Sequence, residues 1–282
     1  RSQQPGHLRV VFIENDFLKL TLYPEFGGRL ASIYHKKGQR ELLFDNPVFQ
    51  PANLAVLNAW FSGGIEWNGL IPGHTPFTCS PVFMAIVETN RGPILRLYEF
   101  DRIREATWQV DLFVPEDEAR VWVHVKIINP NPYVIKCYWW TNMSTALQPE
   151  TRVFSPPDYA IEHVLPDNHL EPFDFPHAHD FDGSYPANYP YAASVFFRKP
   201  GLQRPWIAAV HQDNRGLFHT STQELLGRKM FVFGNSSGGQ HWMDFLSLPG
   251  QGKYIELQAG VMPTQDQEFV LEAGQSLEWT EC

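Results

Sequence analysis

At 282 residues the chain can bury a sizeable core and form one large or two small domains. It is 43% apolar and 19% charged, too apolar for a disordered polymer, and no run nears the roughly 20 apolar residues of a membrane helix. A net charge of −9 with no basic run argues against nucleic acid as a partner.

Three cysteines, Cys79, Cys137 and Cys282, fit no zinc spacing and lean toward a reducing, cytoplasmic setting. Arg1 to Val11 lacks the apolar run of a signal peptide, so such a leader is expected to be absent or already removed. Aromatic residues reach 14%, with 23 Pro and 20 Gly, a composition that suits sheets with many turns better than long helices.

In chain order, strands are predicted over Leu8 to Ile13, Leu18 to Leu22, Arg29 to His35, Val82 to Glu88, Ile94 to Arg102 and Ala106 to Val114. Arg120 to Ile128 follows, with Val121, Val123, Val125 and Ile127 on one face. Further strands are predicted over Tyr133 to Asn142, Ala192 to Phe197, Trp206 to Val210, Gly216 to Thr220, Lys229 to Phe233, Tyr254 to Gly260 and Gln267 to Leu271. Only Asn53 to Trp60 and Ser221 to Gly227 suggest a helical turn. Asp45 to Pro81 and Phe154 to Pro190 read as long packed loops that shape a site. The spacing is that of a large antiparallel sandwich or barrel.

The densest chemistry is the run Trp60-Phe61-Ser62-Gly63-Gly64-Ile65-Glu66-Trp67-Asn68-Gly69, continuing to His74. An acid, an amide and an imidazole between indoles suit a sugar, whose C–H face packs on aromatic rings while its hydroxyls take polar partners. The alternative is a buried loop whose tryptophans are core. Asp101 and Arg102, in Tyr98 to Arg104, fall on opposite faces of a strand, with a salt-bridged surface as the alternative. In Tyr138 to Asn142, Trp140 and Asn142 share one face and Trp139 takes the other. Glu256 and Gln258 share a face opposite Ile255 and Leu257, with His241-Trp242 shortly before.

His177-Ala178-His179-Asp180 invites a metal reading, but no four-ligand spacing accompanies it and no structural metal is expected. Asp174, Asp180 and Asp182 would make Ca²⁺ the less surprising ion there. Serine hydrolase, phosphate-loop and zinc protease motifs are missing.

Together, Gly63-Gly64-Ile65-Glu66-Trp67-Asn68 with Gly73-His74, Asp101-Arg102 with Trp108, Trp139-Trp140-Thr141-Asn142 and Tyr254 to Gly260 resemble a bacterial domain of unknown function. That domain is often fused to tetratricopeptide repeats and belongs with the galactose-mutarotase-like β-supersandwiches. Phe26-Gly27-Gly28-Arg29-Leu30, then Glu41, is similar to the start of aldose 1-epimerases. The resemblance implies an excised domain, with helical repeats following Cys282. In the epimerases a His acts as acid and a late Glu as base. Glu256 and Gln258 match the late Glu-x-Gln strand, whereas Trp140-Thr141-Asn142 stands where the epimerases carry their His.

The expectation is an all-β, galactose-mutarotase-like supersandwich over residues 1–282 as one domain, binding carbohydrate in a groove on the concave face of one sheet. The leading mechanism is glycoside-hydrolase-like, with Glu256 and Glu66 as acid and base. The runner-up is an aldose-1-epimerase-like isomerase, in which Glu256 works with His74 or His211. A non-catalytic glycan-binding module is the third reading. Trp67, Trp108, Trp140 and Trp242 are the expected platforms. Asn68, Asp101, Arg102, Asn142 and Gln258 are the expected polar partners of the sugar. No cofactor and no membrane partner are expected.

Overall fold

The structure, a computed structural model, describes residues 3–53, 60–156, 158–165, 168–198, 201 and 204–282. Its larger sheet runs, in spatial order, through Val11–Glu14, Leu18–Tyr23, Arg29–His35, Ile65–Leu70, Ile135–Ala146, Tyr254–Gly260, Gly227–Val232, Ala193–Phe197, Tyr159–Val164 and His169–Asp174. A second sheet runs through Ser276–Glu281, Trp122–Ile128, Ala106–Phe113, Gly92–Asp101 and Phe83–Thr89. The pairings within both are antiparallel.

The alternation along each strand decides which face is dry. Val123, Val125 and Ile127 are buried as expected, and with Val110 and Leu97 they form the inner face of the second sheet. Leu20, Leu22, Ile65, Met143, Ile255 and Leu257 face them from the larger sheet. Trp139 sits between Trp108 and Trp279, with ring centroids 6.1 and 5.5 Å away, so indoles span the gap between sheets.

Several features depart from the sequence reading. Ile65–Leu70, placed in a loop, is a central strand buried at every residue. Tyr159–Val164 and His169–Asp174 turn much of the second long stretch into sheet. Ser221 to Gly227 is not helical: Ser221 bridges to Glu281, and the Arg228 guanidinium donates to Leu225 O and Ser221 Oγ, which ties the turn down. The other suggested helical turn falls on residues 54–59, outside the described residues.

The α-helix lies instead at Ser237–Leu246, capped by Ser236 Oγ, which accepts from Gly239 N. A side chain at Gly239 would meet Phe233 O at 2.2 Å, so a glycine lets the helix start close against the sheet. Met243 and Leu246 pack with Phe44, Trp60, Phe233 and Tyr254 in a smaller apolar cluster on the other side of the larger sheet. No helix among the described residues is long and apolar enough to cross a membrane.

Candidate active site

The register of the central strands gathers polar side chains on the face turned away from the inter-sheet core. Asn142 lies opposite Glu66 on one side and Gln258 on the other. Gln258 in turn lies opposite Lys229, and Lys229 opposite Phe196. Trp140 is level with Asn68, and Ser144 with Glu256. Their neighbours in sequence, Ile65, Trp67, Thr141, Met143 and Leu257, point the other way. A period-two strand thus buries an apolar residue behind and presents a polar one in front.

Glu66 is enclosed. Trp60 Nε1 donates to its Oε2 at 3.1 Å, and His74 Nδ1 lies 3.0 and 3.2 Å from its two oxygens. The Arg29 guanidinium stands 3.5 Å from Oε1. Arg29 is itself held by Phe61 O, Gly63 O and Thr78 Oγ1, and its guanidinium lies 4.0 Å over the Phe61 ring. Burial alone would raise the Glu66 pKa. His74 and Arg29 outweigh it and hold the carboxyl well below its ordinary range.

The approach to this strand depends on Gly64. Its φ is +73°, and a Cβ there would meet Leu30 O at 2.6 Å. Gly64→Ala is therefore expected to lower stability by more than about 1 kcal/mol in urea unfolding, through backbone strain and this overlap.

His74 connects the two acids. Its ring centroid is 5.0 Å from Trp60 and 5.1 Å from Trp140, and its side chain is 20% exposed. An imidazolium there favours the ionised forms of both Glu256 and Glu66. Glu256 is only 5% exposed; Gln258 Nε2 donates to its Oε2 at 2.8 Å and the Tyr254 hydroxyl to its Oε1 at 3.4 Å. Burial raises the Glu256 pKa, and the opposing pulls of His74 and Lys229 do not cancel that rise. The two carboxyls are thus driven apart, one held ionised and the other poised to take a proton.

Lys229, which sequence reasoning did not single out, completes the row. Its Nζ donates to Gln265 Oε1 at 2.8 Å and lies 5.6 and 5.4 Å from the Trp140 and Phe196 ring centroids. Burial brings its pKa down to about 8. A lone lysine in an apolar strand carries little signal until the Gln258–Lys229 register is known. Two amide atoms facing this region, Asn68 Nδ2 and Asn142 Oδ1, are buried without a hydrogen-bond partner among the described residues. The other Asn68 amide atom, Oδ1, accepts from Thr75 N at 2.9 Å.

The structure brings Glu66, His74, Asn68, Trp140, Asn142, Glu256 and Gln258 to one face, and places the other candidates elsewhere. Trp67 and Trp108 belong to the core between the sheets, at 2% and 1% exposure, because each occupies an inward position of its strand. That corrects their reading as sugar platforms. Asp101 is on the second sheet, where its Oδ1 accepts from Ile103 N and Arg104 N and closes a turn, and Arg102 is exposed in that turn. These are local structural roles, which corrects their assignment as hydroxyl partners. Trp242 is on the outer side of the helix, 40% exposed, against Phe245. His211 is near Thr151, whose Oγ1 lies 3.0 Å from its Nδ1, and its charged neighbours are Asp213 and Arg40.

The histidine-rich run is also separate. His179 Nε2 is 3.0 Å from the Tyr191 hydroxyl and 3.6 Å from Glu162 Oε2, while Asp182 Oδ1 accepts from Ser184. No group of three or more His, Cys, Asp or Glu residues suited to a metal ion occurs among the described residues.

The pattern of a domain of unknown function, DUF5107, matches residues 1–275. The chain belongs to the DUF5107 family. Its fold is similar to that of a TPR-domain containing protein from Parabacteroides distasonis, with a TM-score of 0.85 and 20% identity. That match covers 99% of this chain and 47% of the other, so this DUF5107 chain spans about half of that protein. A galactose mutarotase-like protein from Clostridium acetobutylicum aligns with a TM-score of 0.67 and 8% identity over 97% of this chain and 94% of its own. A galactose mutarotase related enzyme from Lactobacillus acidophilus aligns with a TM-score of 0.59 and 8% identity over 97% and 96%. The fold is galactose-mutarotase-like.

Proposed function

We propose that this DUF5107 chain interconverts the anomers of a free sugar by acid–base catalysis, in the manner of an aldose 1-epimerase. The observation that carries this reading is His74, held by Glu66 between Trp60 and Trp140 on the sheet face that also bears Glu256. The Nδ1 contact with Glu66 leaves Nε2 as the nitrogen that can meet a substrate. Glu256 takes the proton of the C1 hydroxyl, and His74 gives one to the ring oxygen. The bond between C1 and the ring oxygen breaks, the free aldehyde turns, and reversal of both transfers closes the other anomer. His74 thereby fills the role of acid from a loop, although the epimerase position on the Trp140–Asn142 strand carries none.

The hydrolase reading is less well supported. Both oxygens of Glu66 are taken up by Arg29, Trp60 and His74, so this carboxylate serves better as the positioning group of His74 than as a partner of the sugar. The enclosure of Glu256, Gln258, Asn142 and Trp140 favours a monosaccharide over a polymer. We further infer that residues 1–282 act as one domain and that, in a longer protein, it adjoins tetratricopeptide repeats, as in the similar Parabacteroides protein.

Polarimetry on freshly dissolved aldoses tests this function. The expected result is a faster approach to anomeric equilibrium for at least one aldose, lost in His74→Asn. A panel of hexoses and pentoses with no acceleration, together with hydrolysis of an oligosaccharide that stops in Glu66→Gln, would overturn it. Trp140→Ala is expected to weaken binding of the same aldose about fivefold, as measured by calorimetry, since one ring contact contributes on the order of 1 kcal/mol.

A further inference from the structure

The acid–base chemistry of Glu256 and His74 leaves Lys229 without a task. Its side chain belongs to the same sheet face, 7% exposed, with the Trp140 and Phe196 rings beside its ammonium. An ammonium carries three N–H donors. Among the described residues one acceptor, Gln265 Oε1, meets it, and no carboxylate forms an ion pair with it. Glu256 and Asp266 attract it only from farther off. Buried charges are normally paired, because desolvation otherwise goes uncompensated. Burial brings the Lys229 pKa down to about 8, which still leaves most of the side chain protonated at neutral pH. The candidate site therefore holds a cation with donors to spare and no close counter-charge of its own.

Its position relative to the acid–base pair matters as much as its charge. Lys229 lies opposite Gln258, and Glu256 is two residues along that partner strand on the same face. Such a diagonal is about 7–8 Å, a distance that one pyranose can bridge from its anomeric hydroxyl to the group on carbon 6. Lys229, Trp140, Gln258 and Gln265 line a small depression there, with room for about one water. It can take one oxygen of a ligand while the ring stays on the Trp140 face. One ammonium beside a neutral amide also matches a single negative charge. A phosphate dianion would exceed both the space and the charge.

We propose that the sugar taken by this site is a uronic acid, whose carboxylate accepts from Lys229 Nζ while its anomeric centre lies at Glu256 and His74. This inference rests on the reading of that sheet face as an aldose site and narrows its substrate class. Lys229 is then a specificity residue: it selects the acid over the neutral hexose of the same ring configuration.

The test is calorimetric titration at neutral pH with D-glucuronate, D-galacturonate and D-mannuronate, each beside its parent hexose and that hexose's 6-phosphate. A charge-assisted hydrogen bond should make at least one uronate bind about tenfold more tightly than either counterpart. Lys229→Met keeps the length of the side chain and its packing on Trp140. It should abolish that preference and change hexose binding by no more than about threefold. Hexoses bound as tightly as every uronate, a 6-phosphate bound more tightly, or a preference that survives Lys229→Met would each overturn the proposal. Should Lys229→Met not fold, Lys229→Gln decides on the same ratio. Hexose binding without a preference for the acid overturns this inference alone, whereas binding of neither class overturns the aldose reading with it. Selective uronate binding with no faster anomer exchange in polarimetry supports the Lys229 pairing and counts against the catalytic reading only.

Discussion

Glu256→Gln is expected to lower kcat for aldose interconversion by about 10²–10⁴ while leaving sugar binding within a few-fold of wild type. The amide keeps the size of the carboxyl and the contact with Gln258, but it cannot take a proton. Stability should move the other way. The folded-state pKa of Glu256 is raised above 4.5, so its ionised form disfavours the fold at pH values above that raised pKa. Below 4.5 the group is protonated in both folded and unfolded chains, and the penalty disappears. Glu256→Gln should therefore melt at a higher temperature than wild type near pH 7, with the gain shrinking to nothing below pH 4.5. Calorimetric melting at several pH values reads this directly. A more stable but inactive variant is the signature of a group retained for chemistry rather than packing.

Glu66→Gln is expected to do the reverse and lose stability, by about 3 kcal/mol at neutral pH, because it leaves the buried Arg29 guanidinium without its counter-charge. The pH dependence has the opposite sign to that of Glu256. The folded-state pKa of Glu66 is depressed, so its contribution is fully present above the unfolded value of 4.5 and is lost as the pH falls toward the folded value. Urea unfolding of wild type and Glu66→Gln should thus differ most at pH 6–8 and converge in strong acid. Activity should fall as well, through loss of the group that orients His74. The readout that separates positioning from a general loss of structure is the split of kcat against KM under conditions where both variants are folded: Glu66→Gln should lower kcat, whereas Gly64→Ala should leave it unchanged.

Much of this was legible from period-two segments. Tyr254 to Gly260 alternates cleanly, so both its span and the shared face of Glu256 and Gln258 can be read from the sequence. Trp206 to Val210 and Gly216 to Thr220 are equally plain. Ile65–Leu70 also alternates, with Ile65 and Trp67 behind and Glu66 and Asn68 in front, yet its Gly-Gly entry and aromatic neighbours give it the composition of a loop. A strand polar on one face and still buried on both defeats a rule that equates polar with exposed. The helix after Ser236 was obscured by Gly238 and Gly239, although the Ser cap and the apolar Met243 and Leu246 were present.

For the tryptophans, composition gave the number but not the side. Trp139 and Trp140 are adjacent in sequence and belong to opposite faces, so only one could meet a ligand, as alternation demands. Trp67 and Trp108 needed the strand partners as well, since an inward position is defined by what packs across the gap. Lys229 and the closed shell around Glu66 depend on contacts between strands far apart in sequence, which no local pattern encodes.

The most direct test is a crystal structure of the Glu256→Gln variant soaked with the aldose that polarimetry identifies. The expected result is one sugar ring on the Trp140 face, with residue 256 within hydrogen-bond reach, about 3 Å, of the C1 hydroxyl and His74 Nε2 within the same reach of the ring oxygen. A sugar bound with its anomeric carbon away from both groups, or one held directly by Glu66 with His74 displaced, would contradict it.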